Sequence, residues 1–204
     1  EGVVIPNAWA RACVDAHVKL GLQITGSKSG GLDVADEGKD KNAFAGAHGI
    51  VLRHLSQWAG KGSDIFVTTQ RAFLLCDAGG YGSLLYDADG LGSGVRGDAR
   101  VINEMRAKAG QRVLDVRAFR GSESVFDPER EDEKGRKNVD FFANKKAQAW
   151  WALRKRFLAT HRAVTASAPF NPDARFGGVL RFGAEWMVAY PEGNSGQAAA
   201  TPVA

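Results

Sequence analysis

Apolar and polar positions alternate along this chain in a way that separates helices from strands. Trp9, Cys13, Ala16 and Leu20 recur at helical spacing after a capping Asn7, so residues 6–22 are expected to be helical. Residues 25–30 form a Gly/Ser break, and Gly31-Leu32-Asp33-Val34-Ala35 reads as a short strand ending in a polar turn over 36–41. Residues 43–53 read as a second strand with a turn at His48-Gly49, and 55–59 as a third. A helix is expected over 63–77, capped by Ser63 or Asp64, with Val67, Arg71, Leu74 and Leu75 on its stripe. Leu84-Leu85-Tyr86-Asp87 is a compact apolar strand. A turn containing Gly90, Gly92, Gly94 and Gly97 leads to a helix capped by Asp98, with Ile102, Met105 and Ala109 on one side and Gly110 as its stop. Residues 113–119 read as a last strand, 121–139 as a polar loop, and 144–160 as a helix with Ala147, Trp150, Trp151, Phe157 and Leu158 on its apolar side. The Trp150–Trp151 pair is expected to pack in the core.

Three early strands followed by alternating helices and strands predict an α/β fold, a mixed sheet covered by helices. The stretch 191–204, rich in Gly, Ala, Ser and Pro, is expected to be disordered.

Composition adds little until charge is mapped. Hydrophobic residues at 44% and charged residues at 25% over 204 positions suit one domain with a real core. No apolar run has the length of a membrane helix, and residues 1–6 lack the features of a signal peptide. Cys13 and Cys76 lie in apolar stretches without metal-ligand spacing, which points to buried free thiols, although a disulfide between them also fits. The charge is uneven. Residues 130–162 hold ten Lys or Arg and four acids, a local +6 in a chain of net +4. That suits either a solvated helix face or a surface that holds a polyanion.

Two acids stand where acids are costly. Asp33 interrupts an apolar strand and Asp87 ends another, and each precedes a Gly-containing polar turn. Open α/β sheets place ligands at strand C-terminal ends. If the two strands are neighbours, the carboxylates converge as a hard-oxygen site for Mg²⁺ or Mn²⁺. The competing reading is that each acid caps its own turn. The glycines after Asp87 let the backbone approach a phosphate. Gly38-Lys39 and Gly60-Lys61 lack the rest of a nucleotide-binding loop, so no ATPase activity is expected. His17, His48, His54 and His161 show no ligand spacing.

Four stretches together resemble the nuclease domain of phage terminase large subunits. They are residues 31–41 (Gly-Leu-Asp-Val-Ala-Asp-Glu-Gly-Lys-Asp-Lys), 86–92 (Tyr-Asp-Ala-Asp-Gly-Leu-Gly), Phe119-Arg120-Gly121-Ser122, and the Trp-containing segment 144–157. Ile5-Pro6-Asn7-Ala8-Trp9 resembles the family's link from its ATPase domain. The resemblance runs from about residue 3 to about residue 173. It implies a ribonuclease H-like fold over 31–190, with residues 1–30 as a helix and linker from an ATPase domain outside this chain.

The resemblance also implies chemistry. It assigns metal-binding, catalytic roles to Asp33, Asp87 and Asp173, with Asp40 as an auxiliary acid, around two ions (Mg²⁺ or Mn²⁺) about 4 Å apart. Asp173 sits in Pro172-Asp173, but Ala174-Arg175-Phe176-Gly177-Gly178 departs from the second acid and aliphatic pair usual in the family. The implied substrate is concatemeric double-stranded DNA, cut during genome packaging in the cytoplasm of a bacterial host. Arg130, Lys134, Arg136, Lys137, Lys145, Lys146, Arg154 and Lys155 would contact its phosphates. The implied partners are the terminase ATPase domain, the small terminase subunit and the portal, with no membrane. Two other readings fit the same residues: an impaired prophage remnant that only binds DNA or docks a motor, and a resolvase-like nuclease of the same fold.

Overall fold

A computed structural model describes residues 3–35, 40–60, 64–131 and 135–166. The predicted site residues Asp173 and Lys134, and the tail 191–204, lie outside them. The described chain forms two compact units, one of residues 27–121 and the other combining residues up to 26 with those from 122 onward.

In the first unit, β1 (Lys28–Asp33), β2 (Lys41–His48), β3 (Val51–Ala59), β4 (Ser83–Asp87) and β5 (Asp115–Phe119) make one sheet in the order β3-β2-β1-β4-β5. β1, β2 and β3 pair antiparallel; β4 lies parallel to both β1 and β5. This is the expected mixed sheet of a ribonuclease H-like α/β fold. Its strand limits differ from those expected. β1 begins inside the supposed break, because Gly30 is a packing residue. A Cβ there would lie 2.8 Å from the Phe44 ring and 3.1 Å from the Cys76 sulfur. Residues 43–59 form a hairpin of two strands turning at Gly49, rather than one turned strand followed by another.

Helices α3 (Ile65–Gly79) and α4 (Val95–Lys108) pack on the sheet through Ala72, Phe73, Cys76, Val95, Ala99 and Ile102 against Leu32, Phe44, Leu84 and Tyr86. Asp64 caps α3 by accepting the Phe66 N–H at 3.0 Å. The predicted helix faces were rotated from the real ones. On α3, Val67 and Leu74 face solvent while Thr68, Thr69, Ala72, Phe73 and Cys76 are buried. Thr69 is tolerated there because its hydroxyl donates to the Ile65 carbonyl. On α4, Met105 is exposed and the buried stripe is Val95, Ala99 and Ile102. Asp98 does not cap α4. A 3-10 turn (Gly90–Gly94) feeds straight into the helix and leaves Asp98 within its first turn. Both helices end on a left-handed glycine, Gly80 or Gly110, followed by a residue that bonds back five positions.

Cys76 lies fully buried beneath β1, and burial pushes its thiol up to about 12. Cys13 is half-buried, and both cysteines are free. At the far end of α3, Asp77 receives Arg106 at 2.5 Å and Arg112 at 3.1 Å.

In the second unit, the single predicted helix over 6–22 is two, α1 (Asn7–Cys13) and α2 (Ala16–Lys19), broken at the left-handed Asp15. Pro6, not Asn7, occupies the cap position of α1. Within residues 121–139, read as loop, Asn138 begins a short helix, α5 (Asn138–Phe141). α6 (Lys145–Ala166) is longer than predicted, and the Asn144 side chain caps it by accepting the Ala147 N–H at 2.9 Å. Its buried stripe is Ala149, Ala152, Ala159 and Ala163, so Trp150 is half exposed rather than core. Small residues there let α1 lie close, with Trp9 stacked on His161 at 6.4 Å. No described helix is long and apolar enough to cross a membrane.

Two stability outcomes follow. A Cβ on Gly46 would lie 2.2 Å from the Tyr81 hydroxyl, so Gly46→Ala is expected to destabilise the protein by about 1–3 kcal/mol in urea denaturation. The Arg106 and Arg112 guanidinium groups hold the Asp77 carboxyl below its ordinary value. That contribution is fully present above the unfolded carboxylate pKa and vanishes as pH falls through the folded one. Asp77→Asn should therefore lower Tm at neutral pH and leave it unchanged below the carboxylate range.

Candidate active site

Strand pairing decides whether the two singled-out acids meet. β1 and β4 run parallel with Leu32 opposite Tyr86, so the next step of the same register sets Asp33 beside Asp87. Neighbouring strands lie about 4.8 Å apart, and residues in register point to the same face. The two carboxylates therefore stand side by side at the C-terminal edge of the sheet. Asp33 is exposed and Asp87 half-buried. Asp40 lies at the same edge, just before β2, whose Ala43 pairs with Asp33.

Local structure holds each acid. Asp87 takes part in its own turn, its Oδ1 accepting the Asp89 N–H at 3.0 Å. The turn-capping reading is thus correct for one oxygen, and this bond orients the carboxylate. The Ala88 N–H donates to the Phe119 carbonyl at 2.8 Å, tying the chain after Asp87 to β5. Gly92 then folds back onto the strand end, where a Cβ would lie 1.6 Å from the Asp87 carbonyl oxygen. Glycine is required here by contact rather than by φ. The segment leaving Asp33 is pinned by Asn42. This buried side chain accepts the Ala35 N–H at 2.9 Å and donates to the Ala59 carbonyl at 3.3 Å. Asn42 was not singled out in the sequence, although a polar residue between Lys41 and the apolar run from Ala43 was a visible signal.

α3 and α4 both begin at this edge. A Cβ on Gly94 would lie 3.2 Å from Ile65, so the two N-termini meet there. Burial, with Asp64 nearby, raises the Asp98 carboxyl above its ordinary value.

Two aspartates and nearby backbone carbonyls are hard oxygen donors, the chemistry that Mg²⁺ and Mn²⁺ prefer. Among the described residues no group of three His, Cys, Asp or Glu side chains forms a metal cluster. The third predicted ligand, Asp173, is outside that set.

The described residues among the predicted DNA contacts belong to the second unit, and several have structural partners. Lys145 is mostly covered, pairs with Glu123 at 2.7 Å and lies over the Phe126 ring. Arg154 sits over Trp9 and donates to the Val4 carbonyl. Lys137 pairs with Glu129 at 2.6 Å, and Arg136 lies over Phe141. Arg130, Arg136, Lys137 and Lys146 are exposed, and Lys155 is half-buried.

Solved structures with the same fold exist. The nuclease domain of the large terminase subunit gp2 of bacterial virus Sf6 matches at 29% identity with TM-score 0.72, over 96% of this chain and 86% of that one. A point mutant of that domain with manganese and beta-thujaplicinol matches at 29% identity over the same shares, with TM-score 0.73. A point-mutant form with calcium gives TM-score 0.71, again at 29% identity over 96% and 86% of the two chains. No protein-family model and no curated protein matches the chain.

The glycines at this edge make a paired prediction. Gly92→Ala must displace the Asp87 backbone and should destabilise the protein by more than about 2 kcal/mol. Gly97→Ala meets open space inside α4 and should be neutral or stabilise by up to about 1 kcal/mol. Denaturation of both variants checks the contrast; equal effects would mean the Gly92 contact is absent.

Proposed function

This chain is a relative, in fold and sequence, of the nuclease domains of phage large terminase subunits, and from that premise we propose that it is a divalent-metal-dependent endonuclease. Its substrate is concatemeric double-stranded DNA, cut during genome packaging in the bacterial cytoplasm, alongside the terminase ATPase domain, small subunit and portal. The observation that carries this reading is the in-register placement of Asp33 beside Asp87 at the C-terminal sheet edge.

Asp33 and Asp87 hold the cations, Mg²⁺ or Mn²⁺, with Asp173 as third ligand and Asp40 as auxiliary. Ions bound there supply an activated water and charge relief at the leaving 3′ oxygen. The rest falls to the protein. The Asp89 N–H fixes the Asp87 carboxylate, and Asn42 fixes the chain beyond Asp33. Arg130, Lys134, Arg136, Lys137, Lys146 and Lys155 neutralise backbone phosphates without reading sequence. Lys145 and Arg154 join them only if DNA displaces their internal partners. The atypical residues 174–178 favour one rival, a chain that binds DNA without cutting it.

Supercoiled plasmid incubated with Mn²⁺ or Mg²⁺ should be nicked and linearised, and EDTA should stop the reaction. Removing outer-shell partners of a metal site costs about 10–100-fold, so Asp33→Asn or Asp87→Asn should cost more than about 100-fold. Undiminished cutting by Asp33→Asn would overturn the reading. Salt-sensitive binding with no cutting under any divalent ion would establish the rival.

A further inference from the structure

One side chain of α6 ties down the segment that leads into α1. The Arg154 guanidinium donates to the Val4 carbonyl and reaches the Val3 carbonyl at 3.5 Å. It lies between two indole rings, 4.8 Å from Trp9 and 5.5 Å from Trp151. The Trp151 side of this stack is braced: its ring meets Phe141 edge-on at 5.3 Å, and Phe141 carries Arg136 at 3.8 Å. The Trp9 side is held more lightly. Val3 and Val4 are 70% and 50% exposed, and no residue of α1 is buried. α1 has seven residues and no side-chain cap, too short a helix to persist without its contacts. Trp9 also rests on His161, and the Cys13 thiol points at the Phe157 carbonyl from 4.0 Å. A segment anchored by so few contacts opens at small cost in free energy. Lys146 and Trp150, two turns and one turn before Arg154, stand on the same side of α6 and are exposed. A polyanion lying on that side meets three groups in line, and the chain itself occupies the third.

We propose that the face of α6 bearing Lys146, Trp150 and Arg154 takes either the segment Val3–Trp9 or a DNA backbone, each excluding the other, with Arg154 as the latch. The inference rests on the nuclease reading for its DNA ligand. A carbonyl offers a guanidinium one neutral acceptor, whereas a phosphate offers charged oxygens that match its fork. Duplex DNA therefore draws Arg154 off the Val4 carbonyl and frees the segment. By linkage, the factor by which the segment weakens DNA binding equals the factor by which bound DNA loosens the segment.

The test uses the whole chain and a fluorescent 20-bp duplex, without metal. Binding is measured as salt is varied, and hydrogen exchange of residues 3–10 is followed by mass spectrometry with and without saturating duplex. Trp9→Ala loosens the segment and removes no cation, so the duplex should bind about 5-fold more tightly. Saturating duplex should speed exchange of the parental segment by about the same factor. Arg154→Ala should shrink the slope of log K against log salt by about one, with exchange fast whether or not duplex is present. Arg154→Lys keeps the charge but not the planar fork, so it should release the segment and hold the parental slope. Segment exchange that duplex leaves unchanged or slows, or an Arg154→Ala slope equal to the parental one, overturns the latch. Cutting is read separately with Mn²⁺. A parent chain that cuts while its segment stays protected keeps the nuclease reading and overturns the latch. One that never cuts but releases the segment on duplex sinks that reading and upholds the latch.

Discussion

Two carboxylates side by side on adjacent parallel strands repel one another, and like charges in such positions weaken a sheet. The pairing of β1 with β4 sets Asp33 beside Asp87 in spite of this, because the register is fixed by packing behind them. Leu32 and Tyr86, one step back, are both buried on the helix side. A slip of either strand by one residue would turn its own buried side chain out of the core and send its acid in. The hydrophobic core thus imposes the charge pair, and in the proposed reaction a cation bound at that edge would relieve what the core imposes.

Several contacts that resist this slip are made by residues with little or no side chain. Gly30 lets Phe44 and Cys76 close against β1, and Gly92 lets the turn after β4 lie on the Asp87 carbonyl. Asn42 acts from the other side by joining the chain beyond Asp33 to β3. None of the three touches substrate in the proposed reaction. Each narrows where the two carboxylates can stand.

The sheet and its acids were legible in the sequence because their signals are local. An apolar run interrupted or ended by an aspartate, followed by glycines, survives without knowledge of its neighbours. Helix faces were not legible in the same way. On α3 and α6 the buried stripes consist largely of Thr, Ala and Cys, while Val67, Leu74 and Trp150 face outward. Close packing on a sheet or another helix selects small residues, so ranking positions by hydrophobicity selects the wrong face. The cap of α4 was misplaced for a related reason. Asp98 looks like a cap, but the 3-10 turn had already started the helix. Gly30 was read as part of a flexible break because its close neighbours, Phe44 and Cys76, are distant in sequence.

The C-terminal edge has two chemical faces, and strand alternation makes them. Odd positions of β1 and β4 bring Asp33 and Asp87 to one face. The even position between them, Tyr86, turns the other way, into the groove that Arg96 and Asn103 also line. The acids on the first face repel a polyanion unless divalent ions intervene, whereas the exposed Arg130, Arg136, Lys137 and Lys146 attract one. In the proposed reaction affinity and chemistry therefore depend on different residues. That separation would allow a chain that has lost a metal ligand to go on holding DNA, and so the rival reading and the nuclease reading share one architecture.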